Sequence, residues 1–139
     1  MGAVSQQDVE LIREGYALWR AGDYERLLDF LLANATSDVE IYSRFGGFSG
    51  KPYRGHDGVR AWLAEVQENF DRFEPWVDEA RDAGADRVLV SGGIRFRARG
   101  SGIVMAERMG WIYELRQGQL RRMMFYGSPG DALEALRGE

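Results

Sequence analysis

A chain of 139 residues, 45% of them apolar and 12% aromatic, has the length of one domain and enough apolar material to give it a core. A formal net charge of −4 and a pI of about 5.1 oppose a nucleic-acid backbone or an anionic membrane surface as partner, and no apolar run approaches the roughly 20 residues that span a bilayer. With no cysteine and one histidine, disulfides, thiolate nucleophiles and Cys-ligated zinc are excluded, and no metal site is expected.

The first twenty residues carry Asp8, Glu10 and Glu14 and lack the basic-then-apolar layout of a secretion signal, so a cytoplasmic setting is expected. Ser5-Gln6-Gln7-Asp8 has the form of a capping box at a helix start. Behind it Val9, Ile12, Tyr16 and Trp19 recur at helical spacing, Leu11, Gly15 and Leu18 widen the same arc, and Glu10, Arg13, Glu14 and Arg20 take the opposite side. Gly22 suits a left-handed helix end, and Asp23 caps a second, shorter helix with Tyr24, Leu27, Leu28 and Leu31 as its buried stripe.

After Asn34 the apolar period becomes two: Val39 and Ile41 alternate with Glu40 and Tyr42, predicting a strand whose inward parity stays open. Residues 44–54, with Gly46, Gly47, Gly50 and Pro52, predict an irregular loop or short hairpin. Gly55 opens a third helix with His56 or Asp57 near its N-cap. Val59, Trp62, Leu63, Val66, Phe70 and Phe73 form its apolar stripe, which carries the prediction as far as residue 73.

Four antiparallel strands are predicted next, at 75–83, 86–99, 103–116 and 119–127, with turns at 84–86, 100–102 and 117–118. Gly92-Gly93 inside the second of these predicts a bulge or sharp bend. Ser128-Pro129-Gly130-Asp131 opens a terminal helix through Leu133 and Leu136. There is no internal repeat or proline-rich linker, so residues 1–139 are expected to form a single α+β domain. In it, three helices from the N-terminal half cover a curved antiparallel sheet, and a short C-terminal helix follows. A bent sheet roofed by helices encloses a concavity, where small molecules bind.

At this point the chain resembles the SnoaL-like branch of the nuclear-transport-factor-2-like proteins, which includes ketosteroid isomerases, limonene epoxide hydrolases and polyketide cyclases. The resemblance rests on Ala21-Gly22-Asp23 between the first helices, on Tyr53-Arg54-Gly55-His56-Asp57-Gly58-Val59 entering the third, and on Trp111 to Leu120 over the last hairpin. It implies a conical fold with an inner pocket and a homodimer formed through the outer sheet face, but no single reaction, because this fold hosts many chemistries. The isomerase base position falls near Ser43 and the second isomerase aspartate near Met109 or Trp111. Tyr16 misses the isomerase tyrosine position by one residue, which on a helix is a rotation of about 100°. The hydrolases' tyrosine and asparagine correspond to Ile41 and Ser43, and the acid shared by hydrolases and cyclases falls near Met124 or Phe125. Every reference carboxylate is thus absent.

Among the residues themselves, Glu107 shares strand parity with Met105, Met109, Trp111, Tyr113 and Leu115. An acid on so apolar a face would be desolvated and suited to proton transfer. Tyr16, Trp19, Tyr42, Trp62 and Tyr126 are candidate cavity walls with phenol groups as orienting donors, and Ser43, Met109, Trp111 and Met124 join them by position. His56, the one side chain that ordinarily titrates near neutrality, sits at the mouth of the third helix. Arg95, Arg97 and Arg99 share one strand face and are expected to pair with Asp78, Glu79, Asp82 or a second subunit.

The expected function is binding of a small hydrophobic molecule. If catalysis accompanies binding, it would be cofactor-independent acid–base chemistry (isomerisation, cyclisation, dehydration or hydrolysis) with Glu107 moving the proton and Tyr16 or Tyr42 donating a hydrogen bond. The alternative is a non-catalytic domain whose pocket is filled by its own side chains. A ligand-sized void reached by an acid favours the first; a packed cone favours the second.

Overall fold

The computed structural model describes residues 6–43 and 51–138. In chain order the elements are α1 (Gln6–Arg20), α2 (Tyr24–Asn34), β1 (Ala35–Tyr42), β2 (Tyr53–Arg54), α3 (Gly55–Asn69), β3 (Phe70–Gly84), β4 (Arg87–Ala98), β5 (Met105–Arg116), β6 (Gln119–Tyr126) and α4 (Pro129–Arg137). Ser5 of the expected capping box and the glycines at 46, 47 and 50 lie outside the described residues.

Helix α1 buries Val9, Ile12, Tyr16 and Trp19, the stripe that its spacing dictates. It ends where Gly22 takes a φ of 74°, a backbone open to glycine at little cost, and the Arg26 N–H then donates to the Asp23 carboxylate at 3.3 Å to start α2. Helix α3 stops at Asn69, four residues short of the expected end. Phe70 is already extended and pairs with Ala98, and Phe73 pairs with Phe96. A bulge between Phe70 and Arg72 shifts strand parity by one, so two rings three residues apart both face the core with centroids 5.0 Å apart. A bulged strand thereby imitates helical spacing.

The sheet runs β2-β1-β6-β5-β4-β3. It is mixed rather than wholly antiparallel, because β1 pairs parallel to β6. The chain leaves β1, crosses to the far edge through α3, and returns by three hairpin reversals that bring β6 beside β1 in the same sense. Strand β1 begins four residues before its first alternating apolar residue, and β2 forms at the end of the expected loop, with Tyr53 opposite Ile41. Val39 and Ile41 face the core, while Glu40 pairs with arginines on the opposite face.

The main core lies between the sheet and α1–α3; a second, smaller core lies on the other face, where Leu89 and Ile112 meet Ala132 of α4. Helix α4 can approach because position 110 is glycine. A Cβ there would stand 2.7 Å from the Ala132 Cβ and 2.9 Å from the Ser128 carbonyl oxygen. Gly110→Ala is therefore expected to cost about 1–3 kcal/mol, the range for overpacking, and to loosen α4 selectively. Hydrogen–deuterium exchange should show faster exchange at α4 amides with β3–β4 unchanged; wild-type rates in α4 would refute it.

Within the chain, Arg97 and Arg99 do not pair with Asp78, Glu79 or Asp82. Arg97 binds Asp71 at 2.7 Å, Arg99 donates to the Gln67 carbonyl, and Asp78 is taken by Arg108 at 2.9 Å. Register explains this: the strand end that carries these arginines pairs with the start of β3, whereas the expected acids sit further along.

Candidate functional site

The inner site is assembled from every layer. Helix α1 contributes Tyr16 and Trp19 one turn apart, α2 contributes Leu27 and Phe30, α3 contributes Trp62, and the sheet adds Ile41, Tyr113, Met123 and Phe125. Together they bound a cavity of about 40 Å³. Aromatic packing sets its walls: Trp19 stacks on Phe73 at 5.3 Å and meets Trp62 edge-on at 5.4 Å, while Trp111 meets Tyr16 edge-on at 5.3 Å from below.

Two phenols face each other in this apolar setting. The Tyr16 and Tyr113 hydroxyl oxygens are 2.5 Å apart, one donating to the other. Burial pushes the Tyr16 phenol well above its ordinary range, and the neighbouring Tyr113 adds to the rise. Burial raises Tyr113 as well, partly offset by its hydrogen bond with Tyr16. Both therefore remain neutral near pH 7, able to donate or accept a hydrogen bond but not to act as a base.

The indole N–H groups of Trp19 and Trp62 are buried and find no acceptor among the described residues; the same holds for Trp111, which packs beneath the cavity. A buried donor left unpaired costs about 1–3 kcal/mol, so these groups call for an explanation. No carboxylate lines the cavity, and no group of three or more potential metal-ligating His, Asp or Glu side chains occurs among the described residues.

Of the residues singled out from sequence, the structure brings Tyr16, Trp19 and Trp62 together around the cavity, with Trp111 beneath and Met109 fully buried in the same core. Tyr42, Met124 and Tyr126 gather elsewhere, with Arg122, along an open groove of about 280 Å³ at β1 and β6. Ser43 is half-buried immediately after β1. The His56 Nε2 lies 3.3 Å from the Ala35 carbonyl oxygen, tying the start of α3 to β1.

Glu107 has the inward parity expected of it, yet it is exposed. All of residues 105–108 are exposed, because this end of β5 extends past the helical cover that buries residues 109–113. The apolar shelter that would have desolvated this acid is absent.

Two residues of consequence escaped the sequence reading. Tyr113 was legible, since it lies two residues beyond Trp111 on the same parity. Glu40 was not: it is only 5% exposed, and its partners come from three strands. It accepts from Tyr42 at 3.2 Å, from Arg122 at 3.2 Å and from Arg54, with Arg121 at 3.6 Å. Burial alone would raise its pKa; the Tyr42 hydrogen bond and the Arg54, Arg122 and Arg121 charges overcome that and hold it below the usual carboxylate range. This ionised clamp joins β1, β2 and β6.

The profile of the SnoaL-like domain family matches residues 12–123. No curated protein matches the chain. Among solved structures, an NTF2-like protein of unknown function from Burkholderia pseudomallei superposes with a TM-score of 0.73 at 19% identity, covering 95% of this chain and 98% of that one. A candidate SnoaL-like polyketide cyclase from a Jannaschia species also gives 0.73 at 19% identity, covering 98% and 95%. A hypothetical protein of ketosteroid-isomerase-like fold from Catenulispora acidiphila, solved in complex with trimethylamine, gives 0.70 at 17% identity, covering 86% and 85%. At such identities these structures establish the fold alone, and the profile match over most of the length establishes the family. The chain belongs to the SnoaL-like domain family and has its NTF2-like α+β cone.

Proposed function

We propose that this protein binds a small, uncharged, mainly apolar molecule inside the cone and holds it by hydrogen bonds, without acid–base chemistry at that site. One observation carries the reading. Apart from the Met123 thioether, every polar atom on a cavity-lining side chain belongs to a neutral phenol or an indole, and among the described residues no acid lines it. Isomerisation or cyclisation through proton transfer needs a group that ionises near neutrality, and Glu107 lies in solvent. A cavity of 40 Å³ is far below the roughly 300–1,000 Å³ of drug-sized sites, so any ligand of more than a few heavy atoms requires the lining side chains to move apart. A cytoplasmic setting belongs to the same proposal; among the described residues no helix is long and apolar enough to cross a membrane.

Methylenecyclopentane, a compact hydrocarbon whose entry requires the cavity lining to give way, is the test probe. It is expected to change the emission of Trp19 and Trp62 saturably, and Ile41→Phe, which fills the cavity, should weaken the response about tenfold or more. Glu107→Gln should leave it unaltered. A linear, non-saturating response would overturn the proposal and favour a second reading, a cone filled by its own side chains in a domain that pairs with a second copy. The small cavity favours that alternative, as do the exposed Ile103, Val104 and Met105 at the β4–β5 end. Sedimentation of the wild type and Val104→Asp would then show a dimer that the charge disperses.

A further inference from the structure

A second concavity lies on the other face of the sheet, away from the cone. Alternation along β6 puts Arg122, Met124 and Tyr126 in line on that face, each about 7 Å from the next. The parallel register sets Tyr42 of β1 beside Met124. These side chains and Phe125 line the open groove of about 280 Å³. Its middle is a thioether, one phenol stands at its side and another at one end, and a guanidinium stands at the other end. Met124 and Tyr126 also pack against the small core under α4, which holds them in place.

Charge separates this groove from a plain apolar dent. Arg122 belongs to one connected network of ion pairs in which Arg54, Arg116, Arg121 and Arg122 face Asp38, Glu40 and Glu114. Four cations meet three anions, so the patch is positive by one in a chain whose net charge is −4. Arg122 donates through Nε to Glu40 and through Nη1 to Glu114, while its Nη2 has no acceptor among the described residues. Two carboxylates thus fix the guanidinium, 5.9 Å from the centre of the Tyr42 ring, and leave one nitrogen uncommitted.

A flat arene suits the rest of the groove, because rings and a thioether pack favourably against another ring. With the ring seated on Met124, a carboxylate attached to it reaches toward Arg122, the next side chain along the same face. A cationic ligand would add to the excess charge, a neutral arene would leave it unbalanced, and a bare phosphate would leave the rings uncovered. We infer that this groove is a second binding site, for a small aromatic monocarboxylate whose ring lies over Met124 against Tyr42 and Tyr126 and whose carboxylate meets Arg122. It is independent of the cone, and the failure of either site leaves the other standing.

Benzoate is the probe and benzyl alcohol its neutral counterpart. In ¹⁵N-labelled wild type, benzoate is expected to shift the backbone amide signals of Met124 and Tyr126 saturably, with those of α2 unmoved. It should bind about fivefold more tightly than benzyl alcohol, the upper end for an exposed ion pair. Salt at about 1 M should narrow that advantage. Arg122→Gln should abolish the preference and spare the binding of benzyl alcohol. Should that variant not fold, Tyr42→Leu, at an exposed position, is expected to weaken both compounds. Equal affinities in the wild type, or shifts that never saturate, would overturn the inference. So would shifts of the same size at Arg95, Arg97 and Arg99, which would mean general adsorption of anions. A wild-type dimer that Met124→Glu disperses would overturn it too, since a second copy would then cover the groove.

Discussion

Replacing Gly92 by alanine is expected to destabilise the fold by about 3 kcal/mol or more, at or above the upper end for overpacking a core. A Cβ at that position would stand 2.0 Å from the Trp76 carbonyl oxygen and 2.9 Å from its carbonyl carbon. Both are backbone atoms of the strand hydrogen-bonded to β4, so no rotamer change relieves the clash; the strands must part beside the bulge between Val77 and Glu79. In a domain of this size the loss should lower the melting temperature by roughly 10 °C, or leave the protein insoluble. Gly130→Ala is the control, because its Cβ would meet only the Ser128 Oγ at 3.8 Å, and it should melt within a degree or two of the wild type. Thermal unfolding followed by circular dichroism decides the matter: equal melting temperatures for the two variants would show that β3 and β4 separate at little cost.

The phenol pair makes the protein sensitive to alkali. Tyr16 and Tyr113 both have folded pKa values raised above the unfolded value of about 10, chiefly by burial. Below pH 10 both states keep the phenol protons, and the stabilisation is fully present. Above pH 10 the unfolded chain releases them while the folded protein retains them, so stability falls as pH rises. Each phenol contributes at most about 1.4 kcal/mol per pH unit across that window. Urea unfolding at stepped pH should therefore show a decline that begins near pH 10, and Tyr16→Phe should make it shallower. A decline of unchanged slope in Tyr16→Phe would mean that this phenol titrates freely in the folded protein.

Much of the candidate site can be read from periodicity. Tyr16, Trp19 and Trp62 fall on helical stripes that a core must cover, and the structure brings all three to one cavity. Tyr113 follows from the parity of Trp111. Residues whose setting depends on the limits of cover are another matter. Glu107 obeys its strand's alternation and still lies in water, because alternation tells which side a residue takes and not how far the opposite layer reaches. Tyr42 joins Arg122 and Met124 on β6 because β1 lies against β6, a pairing between segments about eighty residues apart that no local pattern announces.

Local chemistry in the chain was sufficient for the helical stripes, the turns at Gly22 and Gly118 and the order of helices before strands, since each depends on residues within a few positions of one another, whereas the bulge expected at Gly92-Gly93 falls on the partner strand, between Val77 and Glu79. The parallel β1–β6 pairing, the arginine clamp on Glu40, the phenol pair and the unpartnered indoles arise only when distant segments meet. Hydrogen bonding and desolvation act over a few ångströms in space whatever the separation along the chain, so such groups acquire their chemistry from neighbours that folding supplies.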